Sequence, residues 1–354
     1  MRRYPVVGVL VAAGLIAGVG AGVAAVNPRP SLPAISAPEL VASTLAAITL
    51  DPPVSGQLLS HVDLGIPSLP AHVPQSKEAQ ARLFEALNGE HRIRYWNSPD
   101  GVRISELLPT AELSFIAERT KSRAEAWAWD SRSYTAIHFG PAPVPADPMM
   151  SPAGLFDPVK AVRETLSAIS PTTRISLPAP ERVAGRDAYV LRIEPRTTET
   201  LIGRIDVSID AERRLPLRVA VFARGASKPT LSLEYTSIQF GSVDPGVYRF
   251  SPPPDATVIQ AHGPSAHPGG GAPAASEDSA EYVRTFGQAW TIVIAYRLPA
   301  GAVKAGDGQL DLRALLPFSG ALFSARLVDR PEGPWLMLGA VPQSRLAALE
   351  PQLP

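Results

Sequence analysis

The alternation of apolar and polar residues predicts antiparallel strands along most of the chain. From residue 91 the apolar residues recur at every second position, beginning with Ile93 and Tyr95 among arginines. The alternation is clearest from 189 to 235, where each apolar stripe is matched by a largely polar one. A period of two with one polar side is typical of an antiparallel sheet that is solvated on one face. The pattern therefore predicts a meander of strands with one buried face.

Helical periodicity is limited to short segments. Ser36 and Glu39 have the spacing of a capping box, and the apolar side of the helix that follows consists of Leu40, Val41, Thr44, Leu45 and Ile48. The prolines at 52 and 53 predict its end. Two further helices are predicted, one over about 76–87 and one that begins at Pro158 and carries Ile169.

A Gly-, Pro-, Ala- and Ser-rich stretch from about 259 to 279 predicts a linker, because it has no residues that could build a core. Beyond it, the sequence predicts a strand over 290–296, a hairpin of 322–328 with 335–341, and a final helix over 344–349. The predicted units are an export or anchor segment with a spacer (1–35), a β domain (36–258), a linker (259–280) and a small α/β domain (281–354).

The N-terminus has the pattern of an export signal. Arg2 and Arg3 precede an uncharged stretch of 22 residues, from Pro5 to Val26. The small residues around Ala24 suit cleavage by signal peptidase, but the stretch is also long enough to span a bilayer. The sequence leaves both alternatives open, a cleaved signal or a retained anchor. Either one predicts a protein on the extracytoplasmic side of the membrane.

Composition excludes several classes of function. Lys+Arg and Asp+Glu both number 33, so no overall charge attracts the chain to nucleic acid or anionic lipid. The chain has no cysteine, which excludes disulfides, thiolate nucleophiles, cysteine-ligated zinc and a lipid-modified N-terminal cysteine. The 38 prolines indicate many turns.

Candidate catalytic chemistry is sparse. The sequence contains no zinc-protease, nucleophile-elbow, phosphate-loop or dinucleotide motif in a suitable setting, and its six histidines lack the spacing of metal ligands. Asp206 and Asp210 share one strand face, but Arg204 and Ser208 lie on the same face. That mixture predicts a solvated surface rather than an acid–base pair. We therefore expect no catalytic residue, no metal and no cofactor.

Aromatic residues give the strongest hint of a binding site. Tyr95 and Trp96 lie on one predicted strand, and Trp127 and Trp129 lie on another, two positions apart and hence on one face. They fill an ordinary core, or they line an apolar cavity between a curved sheet and its covering helices.

Several segments resemble the LolA-like or RseB-like lipoprotein-carrier family, of the actinobacterial type. They are the strand–turn–strand of residues 126–136, the turns at 183–189 and 209–218, and the expected closing strand Phe250 to Asp255. The resemblance spans about 36–258. It implies an α+β fold in which a curved antiparallel sheet forms an incomplete β-barrel covered by helices, with the small C-terminal α/β module in addition.

The resemblance also implies a function. A carrier of this type shelters lipid or lipoprotein acyl chains in an apolar cavity, whereas an RseB-like protein binds a membrane signalling partner; both alternatives stay open. The apolar residues predicted to line the cavity are Ile93, Tyr95, Leu113, Phe115, Trp127, Leu191, Ile205, Val207, Val219 and Leu233.

Overall fold

The computed structural model describes residues 30–65, 88–120, 123–143, 170–261, 282–298, 313 and 316–354. The export segment and both predicted helices, over 76–87 and 158–169, lie outside the described residues. So does nearly all of the predicted linker. Within the described ranges no helix is long and apolar enough to cross a bilayer.

Thirteen strands form one large sheet, with neighbours in the order β13-β6-β5-β4-β3-β2-β1-β12-β11-β10-β9-β7 and with β8 also on β9. Its strands are β1 (Val54–Asp63), β2 (Asn88–Ser98), β3 (Gly101–Leu107), β4 (Glu112–Arg119), β5 (Arg123–Asp130), β6 (Thr135–Pro143), β7 (Thr173–Ser176), β8 (Glu181–Val183), β9 (Arg186–Pro195), β10 (Ile202–Asp210), β11 (Pro216–Ala223), β12 (Leu231–Phe240) and β13 (Thr257–Ala261). All pairings are antiparallel except β13 with β6. The two end strands do not pair, so the sheet stays open and the predicted fold class is confirmed.

Helix α1 (Ala37–Thr49) packs on one face of the large sheet, which we call the inner face. Leu40 is fully buried there against Leu191, Ile205 and Val207. These side chains belong to the apolar stripes that the sequence pattern predicted on β9 and β10. Because the space between helix and sheet is filled by side chains, this half of the inner face is a packed core.

The predicted capping box at the start of α1 is confirmed. The Ser36 hydroxyl accepts a hydrogen bond from the Glu39 N–H at 3.4 Å, and Glu39 Oε2 accepts one from the Ser36 N–H at 3.0 Å. Two N–H groups that the helix cannot pair internally are thereby satisfied.

Replacing Ser36 by Ala is expected to lower the free energy of unfolding by about 1 kcal/mol, because the cap loses its acceptor oxygen. Urea unfolding of the purified chain measures this loss. Ser43→Ala is the matched control, since the Ser43 hydroxyl donates to the Leu40 carbonyl within the helix and caps no free N–H. Equal losses in both variants would show that the cap contributes nothing.

The C-terminal residues form a second sheet in the order β14-β15-β18-β17-β16. Its strands are β14 (Val283–Phe286), β15 (Val293–Arg297), β16 (Phe318–Ser319), β17 (Ser324–Val328) and β18 (Trp335–Gly339), and α2 (Gln343–Leu349) packs against it. The predicted hairpin and final helix are confirmed. The core contains Val293, Trp335, Met337 and Leu346, all almost inaccessible to solvent.

The second sheet docks on the large one through specific contacts. The Ala340 carbonyl accepts hydrogen bonds from the Leu201 N–H and the Thr200 hydroxyl, at 2.8 and 2.7 Å. Trp290 Nε1 donates to the hydroxyl of Thr173, a residue of β7, at 2.9 Å. Buried Leu322 packs against Val62 and Leu64 of the large sheet and its flanking segment. The contact is apolar at its centre and is oriented by directional hydrogen bonds.

The expected closing strand at Phe250 is wrong. Phe250 to Pro254 is irregular, and the last strand of the large sheet is β13, which lies parallel to β6. Three consecutive prolines from 252 to 254 explain the difference, because proline lacks the N–H that a strand ladder needs. Phe250 instead packs on the outer face, with its ring 5.6 Å from that of Trp127.

Candidate functional site

A row of apolar side chains crosses the inner face beyond the packed core. Directly paired residues share a face of a sheet, and the pairings join Tyr95 to Ile104, Ile104 to Phe115, Phe115 to Ala128, Ala128 to Ile137 and Ile137 to Ile259. These six residues, here called the inner row, lie on six neighbouring strands. At about 4.8 Å between strands, the row is about 24 Å long.

The inner row is partly open to solvent. Phe115 and Ile259 are 39% and 48% exposed, and neighbouring Phe139 is 40% exposed with its ring 6.4 Å from that of Phe115. Leu113, two residues before Phe115 on β4, is half-buried on the same face. A group of aromatic and branched side chains with this much solvent exposure forms a surface that an apolar ligand or a partner protein would cover.

The other end of the inner row meets helix α1. Asp51, just beyond the helix, accepts hydrogen bonds from Asn97 Nδ2 at 2.6 Å and from Arg119 Nη1 at 3.1 Å. The Tyr95 ring packs edge-on to that of Tyr235, with centroids 6.5 Å apart. Burial, followed by the nearby Asp51 carboxylate, raises the pKa of the Tyr95 hydroxyl. This end of the row is closed, and the Asp51 contacts place the row on the helix side of the sheet.

The structure divides nine of the ten residues predicted to line a cavity into three groups, and the tenth, Trp127, lies apart from them. Leu191, Ile205, Val207 and Val219 pack with Leu40 in the core under α1. Ile93 is buried and Leu233 is half-buried, both on the inner face. Tyr95 joins them at the closed end of the inner row, and the open part of that face includes Leu113 and Phe115. As a ligand-binding set the ten residues remain a prediction, but only this last group adjoins space that a ligand could enter.

Trp127 lies on the opposite face from Phe115. It pairs with Ile116, whereas Phe115 pairs with Ala128. The Trp127 ring stacks on His138 at 4.2 Å between centroids, and Phe250 covers it. One cavity therefore cannot contain both Phe115 and Trp127.

The inner row includes residues that the sequence reasoning missed. Ile104, Ala128, Ile137 and Ile259 join it only through strand register. The predicted linker begins at Ile259, because the Gly- and Pro-rich stretch starts just after this residue. Val258 and Ile259 are adjacent, so the five residues of β13 show no period of two that would predict a strand.

The prediction of a solvated face around Asp206 and Asp210 is wrong. Asp206 is nearly buried and accepts two hydrogen bonds from Arg192, at 2.7 and 2.8 Å. Asp210 is fully buried and pairs with Arg186. Each carboxylate is already paired with an arginine, so neither is available as an acid or a base.

Neither a protein-family model nor a curated protein sequence matches the chain. Among solved structures it is similar to MucB in the MucA/MucB complex of Pseudomonas aeruginosa, with 13% identity and a TM-score of 0.46 over 88% of this chain and 96% of that one. It is also similar to a LolA superfamily protein of Nitrosomonas europaea, with 9% identity and a TM-score of 0.20 over 61% of this chain and 99% of that one. Both likenesses are distant. They assign no ligand, partner or residue role to this chain.

Proposed function

We propose that the chain is an exported, non-catalytic cell-envelope protein that binds a lipid or a lipidated partner along the inner row. The observation that carries the proposal is the continuous apolar register from Tyr95 to Ile259, which is open to solvent at Phe115 and Ile259. Its length of about 24 Å is comparable with that of an extended acyl chain. A chain lying across the strands would cover Phe115 and Ile259 and remove their apolar surface from water.

The proposed ligand site on the inner row lies outside the region below α1. Leu40 already fills that region together with Leu191 and Val207, so an acyl chain there would have to displace the helix. Along the inner row no such rearrangement is needed, because Phe115 and Ile259 are already accessible.

Replacing Ile259 by Asp is expected to weaken binding of a fluorescent fatty-acid probe about tenfold or more. The variant loses apolar contact area and places a charge where the acyl chain would lie, which costs at least 1–2 kcal/mol by order of magnitude (~10-fold in the binding constant). Fluorescence titration of the purified chain measures the change, and native mass spectrometry reports co-purified lipid.

Val258→Asp is the matched control for that experiment. Val258 is the preceding residue of the same edge strand and is 44% exposed, but it faces the outer side of the sheet. Its substitution should leave probe binding unchanged. Equal loss in both variants would point to damage to β13, and equal retention in both would rule out the inner row as the binding site.

A second candidate function is that of a regulator that binds a membrane signalling protein. The docking of the two sheets favours it, because the contacts of Ala340 and Trp290 hold both domains in one fixed orientation. A single partner could then contact both. Crosslinking in cells separates the candidates, since a carrier yields many lipoproteins and a regulator yields one membrane protein.

A further inference from the structure

An open groove of about 450 Å³ lies at the beginning of α1, at the opposite end of the helix from Asp51. Its walls come from the segment that leads into the helix, from the helix itself and from the turn between β10 and β11. The residues that line it are Leu32, Pro33, Ala34, Ile35, Glu39, Ser43, Tyr189, Ala211 and Arg214. Apolar groups predominate, and Arg214 is the cation among them.

Arg214 has no acidic partner within the part of the chain that the structure describes. Its Nη1 is buried and has no hydrogen-bond partner there, and its guanidinium lies 5.0 Å from the centre of the Tyr189 ring. The nearby arginines differ in this respect, because Arg186 pairs with Asp210 and Arg182 pairs with Asp187. The Arg214 side chain as a whole is only half-buried and lines the groove, so its positive charge can attract an anion there.

Glu39 is the carboxylate that lines the groove. Its Oε2 accepts hydrogen bonds from the Ser36 N–H and hydroxyl, at 3.0 and 2.7 Å, as part of the capping box. It is therefore oriented toward the helix terminus, where the helix dipole also favours a negative charge.

We propose that this groove binds the phosphate head of an anionic phospholipid. Arg214 would donate to the phosphate through its planar guanidinium, and the first methylenes of the lipid would lie on Leu32, Ile35 and the Tyr189 ring. Leu32 is six residues beyond Val26, where the predicted apolar segment ends. Six residues span at most about 20 Å, so a membrane-held N-terminus would keep the groove near lipid heads. The site is separate from the inner row and adds a headgroup preference to the proposed lipid binding.

The test uses soluble short-chain phosphatidylglycerol, short-chain phosphatidylcholine and inorganic phosphate as probes, with affinities from calorimetric titration of the full chain. We expect phosphatidylglycerol to bind more tightly than the other two. Arg214→Gln should weaken its binding about tenfold, because one charge-assisted hydrogen bond is lost. Equal binding of inorganic phosphate would show a free-anion site and overturn the proposal, as would equal binding of phosphatidylcholine.

Two further variants test whether binding is specific to Arg214. Arg213→Gln removes the same charge from the same turn, but the Arg213 guanidinium lies 5.6 Å from the Phe240 ring instead of Tyr189. An equal loss there would mean that only net charge matters, which would contradict a specific site. Glu39→Gln keeps a residue that is compatible with the capping box and removes the opposing charge, so it should tighten binding severalfold. Weaker or unchanged binding would contradict the proposal even if Arg214→Gln failed to fold.

The two lipid proposals can fail independently. Ile259→Asp alters the inner row at the far end of the sheet and should leave the phosphatidylglycerol preference over phosphatidylcholine intact. Arg214→Gln should in turn leave fatty-acid probe binding along the inner row intact. Loss of the headgroup preference in Ile259→Asp would place the phosphate at the inner row and overturn the assignment to Arg214.

Discussion

Replacing Trp335 by Ala is expected to unfold the C-terminal sheet. The Trp335 side chain is 1% exposed and packs against Val293, Met337 and Leu346 at the centre of that core. Truncating a buried tryptophan costs about 3–5 kcal/mol. A domain of this size has a net stability of the same order, because small cores retain little stabilisation after the entropy of folding is subtracted.

Hydrogen exchange measured by mass spectrometry can follow this unfolding and its effect on the large sheet. The N–H groups of Leu201 and Ala321 donate across the interface, to Ala340 and Leu64 respectively. Both amides should lose protection in Trp335→Ala, whereas amides in the centre of β10 should keep theirs. Loss of protection throughout β10 would instead show that the two sheets fold as one unit.

Tyr296→Ala is the matched control. Tyr296 is an aromatic residue of the same sheet, on β15, but it is 42% exposed. Its truncation should cost less than about 1 kcal/mol, in line with other surface substitutions. If both variants unfold alike, the packing around Trp335 is not what stabilises the domain.

The elements that the sequence predicted best are those with a strong local signal. The capping box of Ser36 and Glu39 has a fixed spacing and a fixed chemistry, and both of its hydrogen bonds form. The stripes of β9 and β10 are long enough for a period of two to identify their buried face, and Leu191 and Val207 lie on it. In each case the information lies within a few neighbouring residues.

The location of Trp127 shows why the site was harder to predict. Trp127 and Trp129 do share a face, as their spacing predicted. Which face that is depends on the register of β5 against β4, and a shift of one residue exchanges the two faces. Register is decided by the length of the connection between the strands, for which the sequence has no strong turn motif. The inner row could not be predicted for the same reason. Each of its six strands contributes one residue, so only the register between the strands identifies the row.

The burial of Asp206 and Asp210 illustrates a second limit. Polar residues alternating with apolar ones normally predict a solvated face, but here arginines from neighbouring strands cover the carboxylates. Arg192 of β9 and Arg204 of β10 both donate to Asp206. Long arginine side chains can bury a carboxylate while they keep it hydrogen-bonded. The local pattern on β10 includes Arg204, but it does not reveal Arg186 and Arg192, which both lie on β9.

Replacing Asp210 by Ala is expected to cost about 1.5–3 kcal/mol, because Arg186 loses its hydrogen bonds to the buried carboxylate and keeps only its exposed partner Glu212. Asp210 also accepts hydrogen bonds from the N–H groups of Glu212 and Arg213, which shape the turn after β10. Urea unfolding of the purified chain measures the loss. Asp187→Ala is the control, since the Asp187–Arg182 pair is more than a third exposed and should contribute less than about 1 kcal/mol.

The stabilisation from Asp210 should also depend on pH in a defined direction. Burial by itself would raise the pKa of Asp210, but hydrogen bonds from Arg186, Arg213 and Glu212 outweigh it and hold the pKa below its ordinary value. A carboxyl with a depressed pKa stabilises the fold fully above its unfolded-state pKa of about 3.9 and loses this contribution as the pH falls through the folded-state value. The difference in unfolding free energy between the wild type and Asp210→Ala should therefore be constant from pH 7 to about 5 and shrink below about 4. A difference that instead grew on acidification would mean that the carboxylate is not stabilised by the arginine and the turn amides.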